Sequence, residues 1–238
     1  MRVVREGPVF QLTFLPWIFP VNCYLVEEDD SLTLVDAALP HSWKGILAVA
    51  GEIGKPIARI VLTHAHADHV GALDALKQVL SDARVHISRR DARLLAGDRT
   101  LDPGEPATPI RGSLPRGVRT RADVLIQEGD RIGSLLAIAA PGHTPGSMAF
   151  LDTRNGTLLA GDAFQTWGGV AVSGQRQPLF PFPALATWNR RTALESARKL
   201  REYRPALLAV GHGNMLKEPA AAIDRAIARA ERALQDHA

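Results

Sequence analysis

Thr63-His64-Ala65-His66-Ala67-Asp68-His69-Val70-Gly71 is the stretch whose reading decides the fold. An apolar, β-branched run, Ile60-Val61-Leu62, leads into it, and apolar positions at helical spacing (Val70, Leu73, Leu76, Val79, Leu80) lead out of it. The stretch therefore reads as a loop joining a strand to a helix. His64, His66, Asp68 and His69 fall within six residues. Imidazole nitrogen and carboxylate oxygen are the donors that zinc and related divalent ions take. On extended backbone His64 and His66 project to one side at period two, and the turn that follows can carry Asp68 and His69 toward a second point. Four donors so close together point to two adjacent metals rather than one saturated site.

Working outward, residues 9–15, 22–27 and 32–36 read as short strands separated by turn residues. Between the first two lies Pro16-Trp17-Ile18-Phe19-Pro20, whose prolines exclude an interior strand and make it a hairpin loop. Its apolar tip either folds back on the core or covers a pocket. Ser42 is expected to cap a helix running to about Gly51, followed by a strand over 58–63. Beyond the helix that ends near Leu80 come a strand at 84–88, a helical turn at 91–95 and a long Pro- and Gly-rich loop from 97 to 117. The pattern turns β again at 124–127, 131–132, 135–140, 148–152 and 157–160, with Asn155-Gly156 signalling a tight hairpin between the last two. A second long loop, 164–186, precedes a helix that Thr187 can cap and that runs through Tyr203. A buried-type strand at 206–210 and an Ala-rich helix opened by Pro219 complete the chain. Strands then helices thus occur twice. Two sheets stacked face to face with helices outside, in one α/β domain spanning 1–238, would bury every amphipathic face.

Composition narrows the function classes. The chain is 46% hydrophobic and 22% charged, and no run approaches the ~20 apolar residues of a membrane span. Met1 leads directly into a strand pattern without the apolar stretch of a secretory signal, and Cys23 is the single cysteine, so the expected location is cytoplasmic. The charge of +3 rests on 23 arginines against five lysines, spread along the chain. Arg89-Arg90 and Arg190-Arg191 read as solvated helix faces, and without a concentrated basic stripe no nucleic-acid partner is expected.

The remaining chemistry sits where strands end. Pro141-Gly142-His143-Thr144-Pro145-Gly146 follows one strand, and its glycines allow turns that aim His143 away from the sheet. Leu158-Leu159-Ala160-Gly161-Asp162 ends in a carboxylate, and Leu207-Leu208-Ala209-Val210-Gly211-His212-Gly213 ends in a histidine. Strand ends along one sheet edge converge, which is why open sheets place sites there.

These motifs, in this order, resemble the metallo-β-lactamase-fold hydrolase superfamily: His-x-His-x-Asp-His, a later His, an Asp and a final His. The resemblance implies a four-layer αβ/βα sandwich. It also implies that His64, His66 and His143 hold a first metal, that Asp68, His69 and His212 hold a second, and that Asp162 bridges them. Two divalent ions are implied, zinc first, with manganese or iron as alternatives. Such a pair can share a water and lower its pKa to about 7, giving a hydroxide nucleophile, while Asp68 orients it or shuttles a proton. Aspartate at 162, where one major β-lactamase subclass carries cysteine, places the chain with the Asp-bridged branch, similar to lactonases and glyoxalase II-type hydrolases. No tyrosine stands shortly after Asp162, as one often does in the lactonases, and a single helix is expected after His212 where the glyoxalase II type adds a glutathione-binding helical domain. Asp36 stands where the family often has Asp-Thr-Gly, but Ala37-Ala38 follows it here, so Asp36 reads as structural; His41 and His86 read as ordinary polar residues.

Trp17, Phe19, Phe164, Gln165, Trp167, Phe180 and Phe182, the last two within Leu179-Phe-Pro-Phe-Pro183, are the expected wall of the substrate pocket. The expected reaction is therefore hydrolysis of an ester, lactone or thioester of a small apolar molecule. The competing readings are a mononuclear-iron persulfide dioxygenase, a phosphodiesterase or β-lactamase, and a metal-binding protein without catalysis. Oligomeric state is left open.

Overall fold

Alternation at period two becomes strand pairing at the very start of the chain. β1 (Arg2–Glu6) alternates half-buried and exposed positions and pairs antiparallel with β2 (Val9–Phe14), Arg2 opposite Thr13. The computed structural model describes residues 1–178 and 180–236, so Leu179 of the aromatic loop lies outside the described residues. It divides into two compact units, Met1–Asp98 with Ser113–Ile126, and Arg99–Gly112 with Gln127–Ala238.

In the first unit β3 (Val21–Glu27) and β4 (Leu32–Val35) extend the antiparallel meander. Helix α1 (Trp43–Ile53) then crosses to β5 (Ile57–Val61), which runs parallel to β4. Short helices α2 (Ala67–Val70) and α3 (Leu73–Val79) lead to β6 (Arg84–Ser88), and α4 (Arg89–Leu95) precedes β7 (Val124–Ile126). The strands form one seven-stranded sheet in sequential order. Its middle is largely buried, as expected where parallel strands are covered on both faces: Leu32, Leu34, Ile60, Val61, Val85 and Ile87 expose nothing.

The second unit opens with the antiparallel strands β8 (Arg131–Ile132), β9 (Leu135–Ala139), β10 (Met148–Asp152) and β11 (Thr157–Leu159). A small hairpin follows, β12 (Phe164–Gln165) with β13 (Ala171–Val172), and then helices α5 (Phe182–Ala186) and α6 (Arg190–Glu202). β14 (Leu207–Ala209) pairs parallel with β11, β15 (Leu216–Lys217) pairs antiparallel with β14, and α7 (Ala220–Gln235) closes the chain. Ala193, Leu194, Ala197 and Leu200 of α6 and Ile223, Ala226 and Ala230 of α7 recur at helical spacing and share one core with Leu158, Phe164 and Leu208. Among the described residues no helix is long and apolar enough to cross a membrane.

Several local expectations give way to tertiary geometry. Ser42 does not cap α1 with its side chain; its Oγ accepts the Leu39 N–H (3.2 Å), closing the turn before the helix. The N-cap of α6 is Asn189, whose Oδ1 accepts the Thr192 N–H (3.0 Å), and Thr187 donates instead to Pro183 O (2.7 Å). Asn155-Gly156 does not make a two-residue hairpin. Asp152 pairs with Thr157 across residues 153–156, and Asn155 Oδ1 accepts the Thr157 N–H (2.9 Å). The loop after Asp162 is not structureless, since it contains β12, β13 and α5.

His86, on β6, differs from an ordinary polar residue. It is 8% exposed, and neither ring nitrogen has a hydrogen-bond partner among the described residues. Burial first, then the charges of Arg84 and Arg59, depress its pKa to about 4. The unfolded chain, with an ordinary histidine pKa near 6.5, binds this proton more readily than the folded one. Stability contributed by neutral His86 is therefore lost as pH falls from about 6.5 to about 4, by up to about 3 kcal/mol. Urea unfolding in the presence of a chelator should show this acid lability, and H86L should reduce it by that amount; an unchanged pH profile in H86L would refute the assignment.

Candidate metal centre

In the first unit the donor-rich loop is built around a carboxylate. Asp36 leaves β4 with a left-handed backbone (φ 62°), a conformation aspartate tolerates better than most residues. Its Oδ1 accepts the Thr63 N–H (2.8 Å), and its Oδ2 accepts the Thr63 hydroxyl (2.8 Å) and His69 Nδ1–H (2.9 Å). Asp91, fully buried on α4, accepts the Ala65 N–H (2.9 Å), and Ala67 N–H donates to Ser113 O (2.7 Å). Gly71 lets this segment lie against the 38–40 turn, because a Cβ there would come within 2.7 Å of Ala38 O and Pro40 N. The result is a tight group of imidazoles: ring centroids lie 4.8 Å apart for His64 and His66, and 4.1 Å apart for His64 and His69. All three rings are buried, whereas Asp68, with Oδ2 3.9 Å from His69 Nε2, keeps solvent access.

The second unit supplies three more donors. Gly142 (φ 137°) has no room for a side chain, since a Cβ would sit 2.4 Å from the Ala193 backbone of α6. The loop is tied down there by Asn189 N–H to Gly142 O and Trp188 N–H to His143 O (both 2.9 Å). Asp162 lies in a single 3₁₀ turn, Gly161–Ala163, and Gly161 O accepts the Gly211 N–H (2.9 Å) from the strand end that carries His212. Gly213 (φ 115°) makes the next close approach, 2.3 Å from a built Cβ to Thr166 Oγ1. Asp162 Oδ2 consequently lies 3.2 Å from His143 Nε2 and 3.2 Å from His212 Nε2.

Hydrogen-bond bookkeeping fixes three tautomers. Thr63 has one hydroxyl proton, directed to Asp36, so at 2.9 Å its oxygen accepts from His64 Nδ1–H. Asp36, a carboxylate, can only accept from His69 Nδ1–H. Thr187 gives its proton to Pro183 O, so Ser173 donates to Thr187 (2.9 Å) and accepts from His143 Nδ1–H (3.0 Å). Each imidazole is thereby held with Nδ1 protonated and Nε2 as the coordinating lone pair, the arrangement that outer hydrogen bonds impose on metal-ligating histidines. A single buried carboxylate cannot neutralise two imidazolium ions around it. The His143 ring, neutral with Nδ1 protonated, then sets its Nε2 lone pair against Asp162 Oδ2 at 3.2 Å, acceptor against acceptor, and a cation resolves that conflict. The donor set fits a divalent metal.

Among the expected pocket residues, Phe180 is buried with its ring 5.3 Å from His212 and 5.4 Å from Phe182, which is half exposed. Gln165 is buried beside Phe180, and Trp167 is partly exposed. Phe164 lies inside the apolar core of its unit. Trp17 stands 80% exposed at the β2–β3 tip, with Phe19 half-buried behind it. Asp36, read from the sequence as structural, has that role here, whereas Asp91, Ser173 and Thr187 are supporting residues that sequence reasoning missed.

The comparisons agree with this geometry. Residues 16–212 match the family described as Metallo-beta-lactamase superfamily, and the chain belongs to it. It is 56% identical to the Bacillus subtilis protein named "Uncharacterized protein YobT", over 98% of this chain and all of that one. It is 30% identical to "Probable metallo-hydrolase YflN" of the same organism, covering 81% of this chain and 80% of that one. Among solved structures it is similar to TTHA1623 in a di-iron-bound form, with a TM-score of 0.66, 27% identity, and coverage of 90% of this chain and 96% of that one. The fold is accordingly the mixed α/β metallo-β-lactamase fold.

D36A should remove the acceptor of three buried donors at once. An expected loss is about 3–5 kcal/mol in chelator-treated protein, read by urea unfolding. A loss below about 1 kcal/mol would show that water replaces the carboxylate.

Proposed function

We propose that this protein is a metal-dependent hydrolase acting on an ester, lactone or thioester of a small apolar molecule. In this reading His64, His66 and His143 would hold one divalent ion and Asp68, His69 and His212 another, with Asp162 as a donor to both. The observation that carries it is the buried Asp162 carboxylate facing two imidazole nitrogens at 3.2 Å, with His143 held in the coordinating tautomer. When bound, the ions would supply Lewis acidity and lower the pKa of an attacking water to about 7.

The chain's own residues supply the rest. Asp68, the donor with solvent access, is suited to orient that water and to pass a proton between it and bulk. Asp36, Thr63 and Ser173 hold ring orientations, so little reorganisation accompanies the reaction. Phe180 offers aromatic surface next to His212, with Phe182 against it, which supports an uncharged acyl or alkoxy group. Zinc is the first expectation for the ions, and the relative solved in a di-iron-bound form supports iron as the alternative.

Metal analysis of protein purified without chelator should find about two ions per chain, and D162N should lower both occupancy and turnover of a model thioester or lactone, turnover by at least about 100-fold. One ion per chain with oxygen-dependent activity would overturn the hydrolase reading. Cleavage of phosphodiesters with esters, lactones and thioesters inert would overturn the substrate class. F180A and F182A should raise KM for long-chain substrates more than for short ones, each contact being worth on the order of 1–3 kcal/mol; equal effects would assign both rings to packing.

A further inference from the structure

Arg176 lies in the loop after β13, and Arg190 reads from the sequence as part of a solvated pair. The fold brings both to one groove of about 490 Å³ in the second unit, between the turn after β13 and the last turns of α7. A volume of this size lies in the range of small-molecule sites, about 300–1,000 Å³.

Its two sides differ in chemistry. Ala230, Ala233 and Leu234 of α7 form an apolar wall, and the facing side carries hydrogen-bond donors. The Arg190 stem is laid over Gly174 (φ 87°), where a Cβ would sit 2.6 Å from Arg190 Cγ, so only glycine lets this arginine fold across the turn. Gln175 uses its Oε1 to accept the Val172 N–H (3.1 Å), which leaves its amide group as a donor. Among the described residues no carboxylate lines the groove. Ser173, also part of its lining, is the residue that accepts from His143 Nδ1–H, so the groove lies directly behind one proposed metal ligand.

We infer that this groove is a second ligand site, for an amphipathic monoanion: a carboxylate held by the Arg176 and Arg190 guanidiniums with its alkyl chain along α7. Guanidinium forks match a carboxylate in pairs of parallel hydrogen bonds, and the apolar wall accounts for affinity that a bare ion would lack. The site stands apart from the reaction proposed above and does not depend on it.

Calorimetric titration of the metal-loaded protein with octanoate tests the assignment, with octanamide, octylamine and inorganic phosphate as companions. Octanoate should bind, and the other three should bind at least about tenfold more weakly. R176Q/R190Q should weaken octanoate at least about tenfold, and A233W, which fills the groove without altering its donors, should abolish binding. D162N, which changes a proposed metal ligand and none of the groove's lining, should leave octanoate binding unchanged. Equal binding of octanamide would remove the role of charge, and equal binding of phosphate would remove that of the apolar wall. Binding that survives A233W but is lost in D162N would place octanoate on the metal donors. Any of these, or no binding at all, overturns the inference.

Discussion

The Asp36 carboxylate is the constraint on which the first unit's donor loop depends. It gathers the backbone of Thr63, the hydroxyl of Thr63 and the ring of His69 on one side chain, and all of these are buried. Left without that acceptor, each would be a polar group out of water with no compensation. The chain accepts left-handed backbone at both Asp36 and Ala38 to put the carboxylate there. Ala38 gains nothing locally from φ 51°, so the cost, of order 1–3 kcal/mol, is sustained by the surrounding bonds, including Ala37 N–H to His69 O (2.6 Å) and Gly71 N–H to Ala38 O (2.8 Å). Strain of this kind persists only where several contacts over-determine the conformation.

The second unit reaches an equivalent result by different means. His143 Nδ1 faces hydroxyls instead: a relay of two of them ends on the carbonyl of Pro183, and its direction is set by which oxygen has no proton to give. Hydroxyls accept and donate with equal ease, so such a relay orients a ring without placing a charge beside it. His69 is backed by an anion and His143 by neutral oxygens, so the two rings are held by unlike partners. Metal sites built from both would be inequivalent even with similar ligand counts.

The candidate donor residues were legible because their signal is local. His64, His66, Asp68 and His69 lie in one hexapeptide, and His143, Asp162 and His212 each follow an apolar run with a glycine next to them. The strands and major helices were legible for the same reason, since period and punctuation lie within a few residues. What stayed hidden is set by distant pairs: Asp36 meets Thr63 across 27 residues and His69 across 33, and Ser173 meets His143 across 30. Helix caps failed at Ser42 and Thr187 because a serine or threonine near a helix start has competing acceptors and donors, and packing decides which it takes. The aromatic residues were identifiable as a class but not by role: Phe164 went to the core and Phe180 to the side of His212.

Cys23 carries a different consequence. It sits on β3 opposite Leu12, fully buried, and burial first, then the nearby Asp36 charge, pushes its thiol pKa well above the usual value. Only the thiolate reacts with disulfide reagents, so in the closed state this sulfur is silent on both counts, access and ionisation. Its labelling rate is then a clock for the moment β3 parts from its neighbours, and, being the single cysteine, it times the opening of the first unit without interference from the second.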